Sequence, residues 1–332
     1  MTTVTGVDAR GMRHCETTAL GVLLRHQGLD LSEPMLFGLG SGLSFVYWDG
    51  KNLDFPFLGG RVKPFELTRN LAARLGLELV VQETTSPRKA WENVAAALQA
   101  GRPVGLQLDS HHLDYFGSKA HFGGHVVALY GYDDRVAYLV DTDQQGGAVT
   151  TSLTSLAEAR AARGPMTAKN RSFTLTVPEN PPAPRDRIIP AITACADAFL
   201  DPPIANLGHR GIEKAGKLVR TWLRRSDDPG RDLPQAARLM ERAGTGGALF
   251  RNLYRDFLAE CAQLVDSGHL RTGLGLYTRA ADQWTEVAEL IKKAGESGDP
   301  ECLARAGDLL HELSRTEREA MRALSRLGES GE

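Results

Sequence analysis

The sequence predicts an α+β domain with an antiparallel sheet, followed by an all-helical bundle, and three observations carry that expectation. At 332 residues the chain is long for a single core and fits two domains. Helical and strand-like patterns are mixed up to about residue 180, after which the pattern is almost wholly helical. Between the two lies Pro178–Arg185 (PENPPAPR), with four prolines in eight residues. Proline fixes φ and removes a donor, so this stretch continues neither a helix nor a central strand. The expected domains are therefore 1–178 and 186–328, with a linker over 179–185.

In the first part, Glu16–His26 (ETTALGVLLRH) reads as a helix with apolar Ala19, Leu20, Leu23 and Leu24, stopped at Gly28. Leu67–Leu75 and Ala90–Gln99 read as further helices. Strands are expected over Leu77–Gln82, Pro103–Leu108, His125–Tyr130, Val136–Val140 and Phe173–Val177. The order, helices first and then mostly strands, favours an antiparallel sheet over a doubly wound parallel one. In the second part helical character covers Ile188–Leu200, Ile212–Arg225, Leu233–Ala243, Ala248–Val265, Leu270–Lys293 and Pro300–Leu327, with a loop at Thr245-Gly246-Gly247. Within Ala248–Val265, residues Leu249, Phe250, Leu253, Tyr254, Phe257 and Leu258 form one apolar stripe.

Composition narrows the function classes. Hydrophobic residues make up 42% and charged residues 24%, as in ordinary globular proteins, and the net charge of −2 lacks the basic excess of a nucleic-acid binder. The opening MTTVTGVDARGM has no apolar core of a signal peptide, and no run of about 18 apolar residues suggests a membrane span. Cys15, Cys195, Cys261 and Cys302 are far apart and form no CxxC pair, so a disulfide framework or cysteine zinc site is not expected. A reducing, cytoplasmic setting fits.

Cys15 falls at or just before a helix N-terminus, where the macrodipole favours a thiolate, with His14 beside it and Arg10 and Arg13 close by. The alternative is a small buried core residue. His125 opens an apolar strand, a turn follows at Gly131–Arg135, and Asp141 ends the next strand. A hairpin centred on Asp133 sets His125 directly across from Asp141. A carboxylate there would fix the imidazole tautomer and leave the other ring nitrogen for a thiol. Asp143 is the alternative carboxylate, and a solvated hairpin-edge histidine the alternative role.

The order of cysteine on an early helix, histidine heading a strand and aspartate ending the next resembles the papain-like superfamily, especially its bacteriocin-leader-processing branch. More specifically, GMRHCETTA from Gly11 and the run Phe37-Gly-Leu-Gly-Ser-Gly42 resemble the N-terminal domain of the butirosin biosynthesis protein BtrH family. The helical part, with Gly244-Thr-Gly-Gly-Ala-Leu-Phe-Arg-Asn-Leu-Tyr-Arg-Asp-Phe-Leu258, resembles the uncharacterised helical domain that accompanies it. The resemblance implies a papain-like catalytic domain with Cys15, His125 and Asp141 as a triad. It also implies acyl transfer from a carrier-protein or pantetheine thioester to an amine, between molecules or within one, in natural-product biosynthesis. No bound cofactor is expected beyond phosphopantetheine carrying the substrate. The expected partners are a carrier protein and an amine-bearing small molecule, with neither nucleic acid nor membrane. Hydrolysis by the same triad, as a peptidase or thioesterase, and ligand binding without catalysis are the alternatives.

One departure bears on mechanism. Papain-like peptidases place a glutamine several residues before the cysteine, and DARGMRH has none. The Cys15 N–H remains as an oxyanion donor, and His14, Arg13 or Asp109 are candidates to complete the site.

Gly38-Leu-Gly40-Ser-Gly42 lacks the Gly-Lys-Ser/Thr ending of a phosphate loop, and Gly40 and Gly42 are read instead as permitting close substrate approach or a tight turn. Phe45, Tyr47 and Trp48 suit an acyl pocket or a core. His111, His112, His121 and His125 crowd together with Asp109 and Asp114, but the spacing matches no HExxH pattern and no metal is expected. Asp109–His121 is expected to loop over the active site, with Tyr115 and His121 on the pocket wall. Arg251, Arg255 and Asp256 read as a solvated helix face, the basic pair alternatively as a dock for an acidic carrier protein.

Overall fold

In chain order the first elements are β1 (Thr2–Thr3), α1 (Cys15–Arg25), α2 (Glu33–Leu39), β2 (Leu43–Trp48), β3 (Phe57–Arg61), α3 (Glu66–Leu75), β4 (Glu78–Gln82) and α4 (Pro87–Gln99). Then come β5 (Val104–Leu108), β6 (His125–Tyr132), β7 (Val136–Val140), β8 (Ala148–Ser152), α5 (Leu153–Ala161) and β9 (Ser172–Thr176). The rest is helical: α6 (Ile188–Leu200), α7 (Gly208–Leu218), α8 (Trp222–Arg225), α9 (Pro229–Arg242), α10 (Ala248–Leu264), α11 (Gly268–Ser297) and α12 (Pro300–Ser325). This computed structural model describes residues 1–50, 55–117, 120–242 and 247–329, so the expected loop at Thr245-Gly246 lies outside the described residues. The α+β then all-helical order matches the sequence expectation. Among the described residues no helix is long and apolar enough to cross a membrane.

The chain forms two compact units, Met1–Leu36 with Pro64–Pro182, and Phe37–Lys63 with Ala183–Glu332. The expected boundary sets residues 37–63 in the first domain, whereas their packing puts them in the second unit.

The first unit is built on an antiparallel sheet ordered β4-β9-β5-β6-β7-β8, with β1 added beside β6. Its core joins Leu106, Leu108, Val127, Leu129, Ala137 and Leu139 of the sheet to Val94, Ala97 and Leu98 of α4 and Leu156 and Ala159 of α5. Helix α1 is buried from Cys15 through Leu24, polar residues included. A helix apolar on one face alone could not be buried so completely, and its polar groups are answered one by one. The Glu16 carboxylate accepts the N–H groups of Phe65 (3.3 Å) and Thr68 (3.0 Å) and so caps α3, whose own N-cap, Phe65, has φ 71° and no capping side chain. Glu33 does the equivalent for α1, accepting the N–H groups of Arg13 (3.1 Å) and His14 (2.8 Å).

In the second unit β2 and β3 form an antiparallel pair within the helical assembly. The glycine run closes α2 into β2: Gly42 N–H bonds Phe37 O at 2.9 Å, and Ser41 takes the left-handed φ of 46°. Gly38 is the glycine whose lack of a side chain decides the packing, since a Cβ there would lie 2.1 Å from the Phe257 ring. Phe37 stacks on Phe250 (centroids 5.4 Å) and Phe45 meets Trp284 (5.5 Å), while Tyr47 is also buried and Trp48 is exposed. Core packing is therefore the observed role of Phe45 and Tyr47.

Arg251 departs from the expected solvated face. It is fully buried, chelates Glu317 through Nε (3.0 Å) and Nη2 (2.9 Å), and donates from Nη1 to Ser44 O and Gly60 O. It is thus neither a solvated charge nor a docking residue. Arg255 spends its charge on neighbouring Asp256 at 2.7 Å.

This division has a testable consequence. A fragment ending at Pro182 would carry residues 37–63 without Phe250, Phe257 or Trp284. Its stranded Phe37 and Phe45 would form exposed apolar surface. The fragment is expected to bind a hydrophobic dye or aggregate where the full chain does not. A monomeric, dye-silent fragment would contradict the assignment of 37–63 to the second unit.

Candidate active site

Cys15 is the first residue of α1, preceded by His14 as an extended N-cap (φ −112°, ψ 135°). Its N–H has no acceptor within the helix, and the positive end of the macrodipole lies at the sulfur. The approach to Cys15 is pinned to the segment after β7. Met12 O accepts the Asp143 N–H at 2.9 Å, and a Cβ on Gly11 would lie 2.6 Å from Asp143 N and 2.9 Å from Asp141 O. A glycine is required for that approach. Asp143 itself is exposed and acts here through its backbone, so it is not the histidine's partner.

His125 begins β6, where Leu108 of β5 is its lateral neighbour. Its Nε2 is 2.8 Å from Asp141 Oδ2, with both side chains buried. The pairing expected from sequence is present, but not through the expected register. A hairpin centred on Asp133 would set Ala128 against Tyr138. Instead Ala128 faces Val140 and Leu129 faces Leu139, with a bulge before Gly131 and Tyr132 opposite Ala137. Asp133 holds this turn by accepting the N–H groups of Arg135 and Val136, each at 2.8 Å. His125 and Asp141 are therefore diagonal neighbours rather than directly opposed.

The carboxylate of Asp141 is fully engaged. Oδ2 also accepts the Tyr115 hydroxyl at 2.8 Å, and Oδ1 accepts the Thr142 N–H at 2.7 Å. Burial raises its pKa, but His125 and these donors outweigh that and hold it below the ordinary value. Tyr115, expected as pocket wall, is thus a second donor to the orienting carboxylate. Phe116 lays its ring edge-on against His125, with centroids 5.0 Å apart.

With Nε2 taken by Asp141, Nδ1 is the ring nitrogen left for the Cys15 thiol, to which His125 is hydrogen-bonded. Burial pushes the thiol up, yet the charges of His125 and then His14, together with hydrogen bonds from both, bring it well below the ordinary thiol value. Burial pushes His125 down, and Asp141 and the Cys15 thiolate raise it to about 10. Both shifts run in the direction that favours a thiolate facing an imidazolium.

That electrostatic balance makes a direct test possible. Wild-type Cys15 is expected to react with iodoacetamide at a rate that persists below pH 7. In His125→Ala the burial penalty loses its main opposing charge, and the half-maximal pH should rise above about 8.5, an ordinary thiol's value. Coincident pH profiles would contradict the ion pair.

The remaining candidates fall into place differently. Asp109 is an ionised acceptor, held below its usual value because His121 and the N–H groups of His111 and Phe122 outweigh burial. An anion cannot stabilise an oxyanion, so its candidacy for that role ends here. His121 is exposed and bonded to Asp109 at 2.8 Å. Gly40 and Gly42 belong to the second unit as the turn already described. Arg13 is tied by its N–H to Glu33. His14 stays adjacent to the sulfur.

A mixed α+β scaffold sets a helix-initial cysteine against a histidine that is itself oriented by a buried aspartate, the Cys-His-Asp order expected from the sequence. The family is shown by residues 154–324, which match the domain of unknown function DUF4872 across more than half of the chain, and the chain belongs to that family. Residues 14–142 match the family described as butirosin biosynthesis protein H, N-terminal. A comparison with curated proteins found no match. Among solved structures, a Bacillus anthracis protein described as C39-like peptidase is similar at 15% identity and a TM-score of 0.37, covering 54% of this chain and 98% of that one.

Proposed function

We propose that the protein is a cysteine acyltransferase, moving an acyl group from a carrier-protein or pantetheine thioester through Cys15 to an amine. The observation that carries this reading is the Cys15–His125–Asp141 arrangement, a helix-initial thiol facing an imidazole that a buried carboxylate orients, with both shifts in the direction of the ion pair. The match of residues 14–142 to the family described as butirosin biosynthesis protein H, N-terminal, supports a biosynthetic role.

In the first step the Cys15 thiolate attacks the thioester carbonyl. The tetrahedral intermediate collapses by expelling the carrier thiolate, which takes the proton from His125. This leaves an S-acyl cysteine and a neutral imidazole. In the second step the amine adds to the acyl-enzyme, His125 takes its proton, and the Cys15 thiolate leaves, restoring the ion pair. Asp141 stays ionised throughout and favours the imidazolium. The Cys15 N–H and the His14 side chain are the proposed oxyanion donors. A thioester expels a stable thiolate, so this modest site suffices for it. An amide, whose amine leaves badly, would need more, which favours transfer over peptide cleavage. The proposed setting is the cytoplasm, consistent with four free cysteines.

The test is mass spectrometry of the protein after incubation with a panel of acyl pantetheine thioesters without acceptor. One acyl mass on Cys15 is expected, discharged faster by an amine than by water. Discharge by water at an equal rate would make the protein a hydrolase. A donor that is turned over without ever modifying Cys15 would overturn the reading.

A further inference from the structure

The segment between β5 and β6 brings together donor groups that the acyl chemistry does not use. Asp109 follows β5 directly, His112 ends a 3₁₀ turn (Ser110–His112), and His121 comes just before β6. Each of the three offers one ligand atom, and these atoms all lie within 4.8 Å of one another. The Asp109 carboxylate is buried while the His121 ring is open to solvent, so the group has a fixed floor and an accessible mouth. His111 packs its ring on His121 with centroids 4.0 Å apart and lies 5.1 Å from His112. The His111 Nδ1 is buried and, among the described residues, has no hydrogen-bond partner. Packed imidazoles beside a buried carboxylate are a costly arrangement for a loop to keep for packing alone, since an unpaired buried nitrogen loses its hydration.

We propose that Asp109, His112 and His121 form a binding site for a divalent transition-metal ion of the zinc class. Two imidazoles and a carboxylate suit zinc, copper or nickel and not magnesium or calcium, which take oxygen ligands. Neutral imidazoles bind the ion, so His121 gives up its hydrogen bond to Asp109, or turns, as both become ligands. Bonds of about 2.0–2.2 Å to one tetrahedral ion set the donor atoms about 3.4 Å apart, so the three close in from separations of up to 4.8 Å. His111 braces the His121 ring and sets its orientation. The consequence lies in the segment so fastened. It carries Tyr115 to Asp141 and Phe116 to His125, so an ion joining its two ends would hold both contacts in place. The site is thus a positioning device, separate from the reacting atoms.

The experiment uses tag-free, full-length protein carrying Cys15→Ala, because a thiolate–imidazole pair is itself a zinc ligand. Zinc titration is expected to show one site, and His112→Ala or His121→Ala in that background should each weaken it by more than about tenfold. Zinc should raise the thermal midpoint of the Cys15→Ala protein and not of these variants. If either variant fails to fold, cobalt substitution in the Cys15→Ala protein decides. Visible d–d bands without thiolate charge transfer support the site, and their absence overturns it. Undiminished zinc affinity in the folded histidine variants, or no zinc uptake at all, would also overturn it.

Discussion

Cys15→Ala is expected to reduce acyl transfer by about 10⁴-fold or more, to the level that binding and orientation alone provide. The reason is specific to this site. The positive end of α1, His14 and His125 all act on that one sulfur. His125→Ala should come close to the same loss, because it removes both the charge that holds the thiolate and the base for the second step. Asp141→Asn separates orientation from nucleophilicity. Its shape is retained, but one oxygen now receives both His125 and Tyr115 donors without a negative charge, and the amide can favour the wrong imidazole tautomer. The rate should fall by up to about 10⁴-fold while circular dichroism keeps its wild-type shape, with a lower thermal midpoint because the amide N–H then faces the Thr142 N–H. Rates are compared under single-turnover conditions with one thioester donor. Wild-type turnover by Cys15→Ala would rule out Cys15 as the nucleophile and overturn the acyl-enzyme mechanism.

The survival of the His125–Asp141 pair despite a wrong register shows what was legible in the sequence. The observed pairing beside Ala128 lies two residues from the expected one, because the bulge before Gly131 and the turn held by Asp133 leave no trace in the hydrophobic pattern. A shift of two keeps every side chain on its original face, whereas a shift of one would have sent Asp141 to the other side of the sheet. Face alternation was readable, and exact pairing was not. The strand Val136–Val140 and the start of β6 at His125 were also read at their observed limits, since both are apolar runs bounded by turn residues.

What escaped the sequence depends on residues distant along the chain. Glu16 looks like an ordinary first-turn acid on α1, and only the fold reveals that it caps α3 some fifty residues later. Tyr115 gave no sign that its hydroxyl reaches Asp141, because it sits in an aperiodic segment. β2 and β3 were missed because they pack in the second unit, so the proline-rich linker marked a real change of texture but not the whole boundary. Asp109, His112 and His121 match no ligand-spacing rule. The connection from β5 to β6, rather than a helical repeat, brings them together.

Arg251 was the most misleading residue in the sequence and should be among the most sensitive in the fold. Its helix carries an apolar stripe, and a charge beside such a stripe usually lies in water. Here Leu249, Phe250, Leu253 and Tyr254 bury the whole sector, and Arg251 goes in with them. The guanidinium is satisfied on all sides by Glu317, Ser44 O and Gly60 O, with its carbon 5.0 Å from the Trp284 ring centroid. Trp284 Nε1 donates to Glu317 Oε1 at 2.6 Å, which ties the carboxylate to a third element. Glu317→Ala removes the only anion in this group and leaves a buried cation and an indole N–H without an acceptor. It is expected to destabilise the second unit by about 3–5 kcal/mol. Trp48, Trp222 and Trp284 all lie in this unit, so tryptophan fluorescence against denaturant reports its transition. Removing both charges together, as Arg251→Met with Glu317→Leu, should recover much of that loss, because no unpaired ion remains. The double variant still strands the two carbonyls and the indole, so recovery should be incomplete. A Glu317→Ala protein within about 0.5 kcal/mol of wild type would mean that water reaches Arg251 and that the pair is not a buried one.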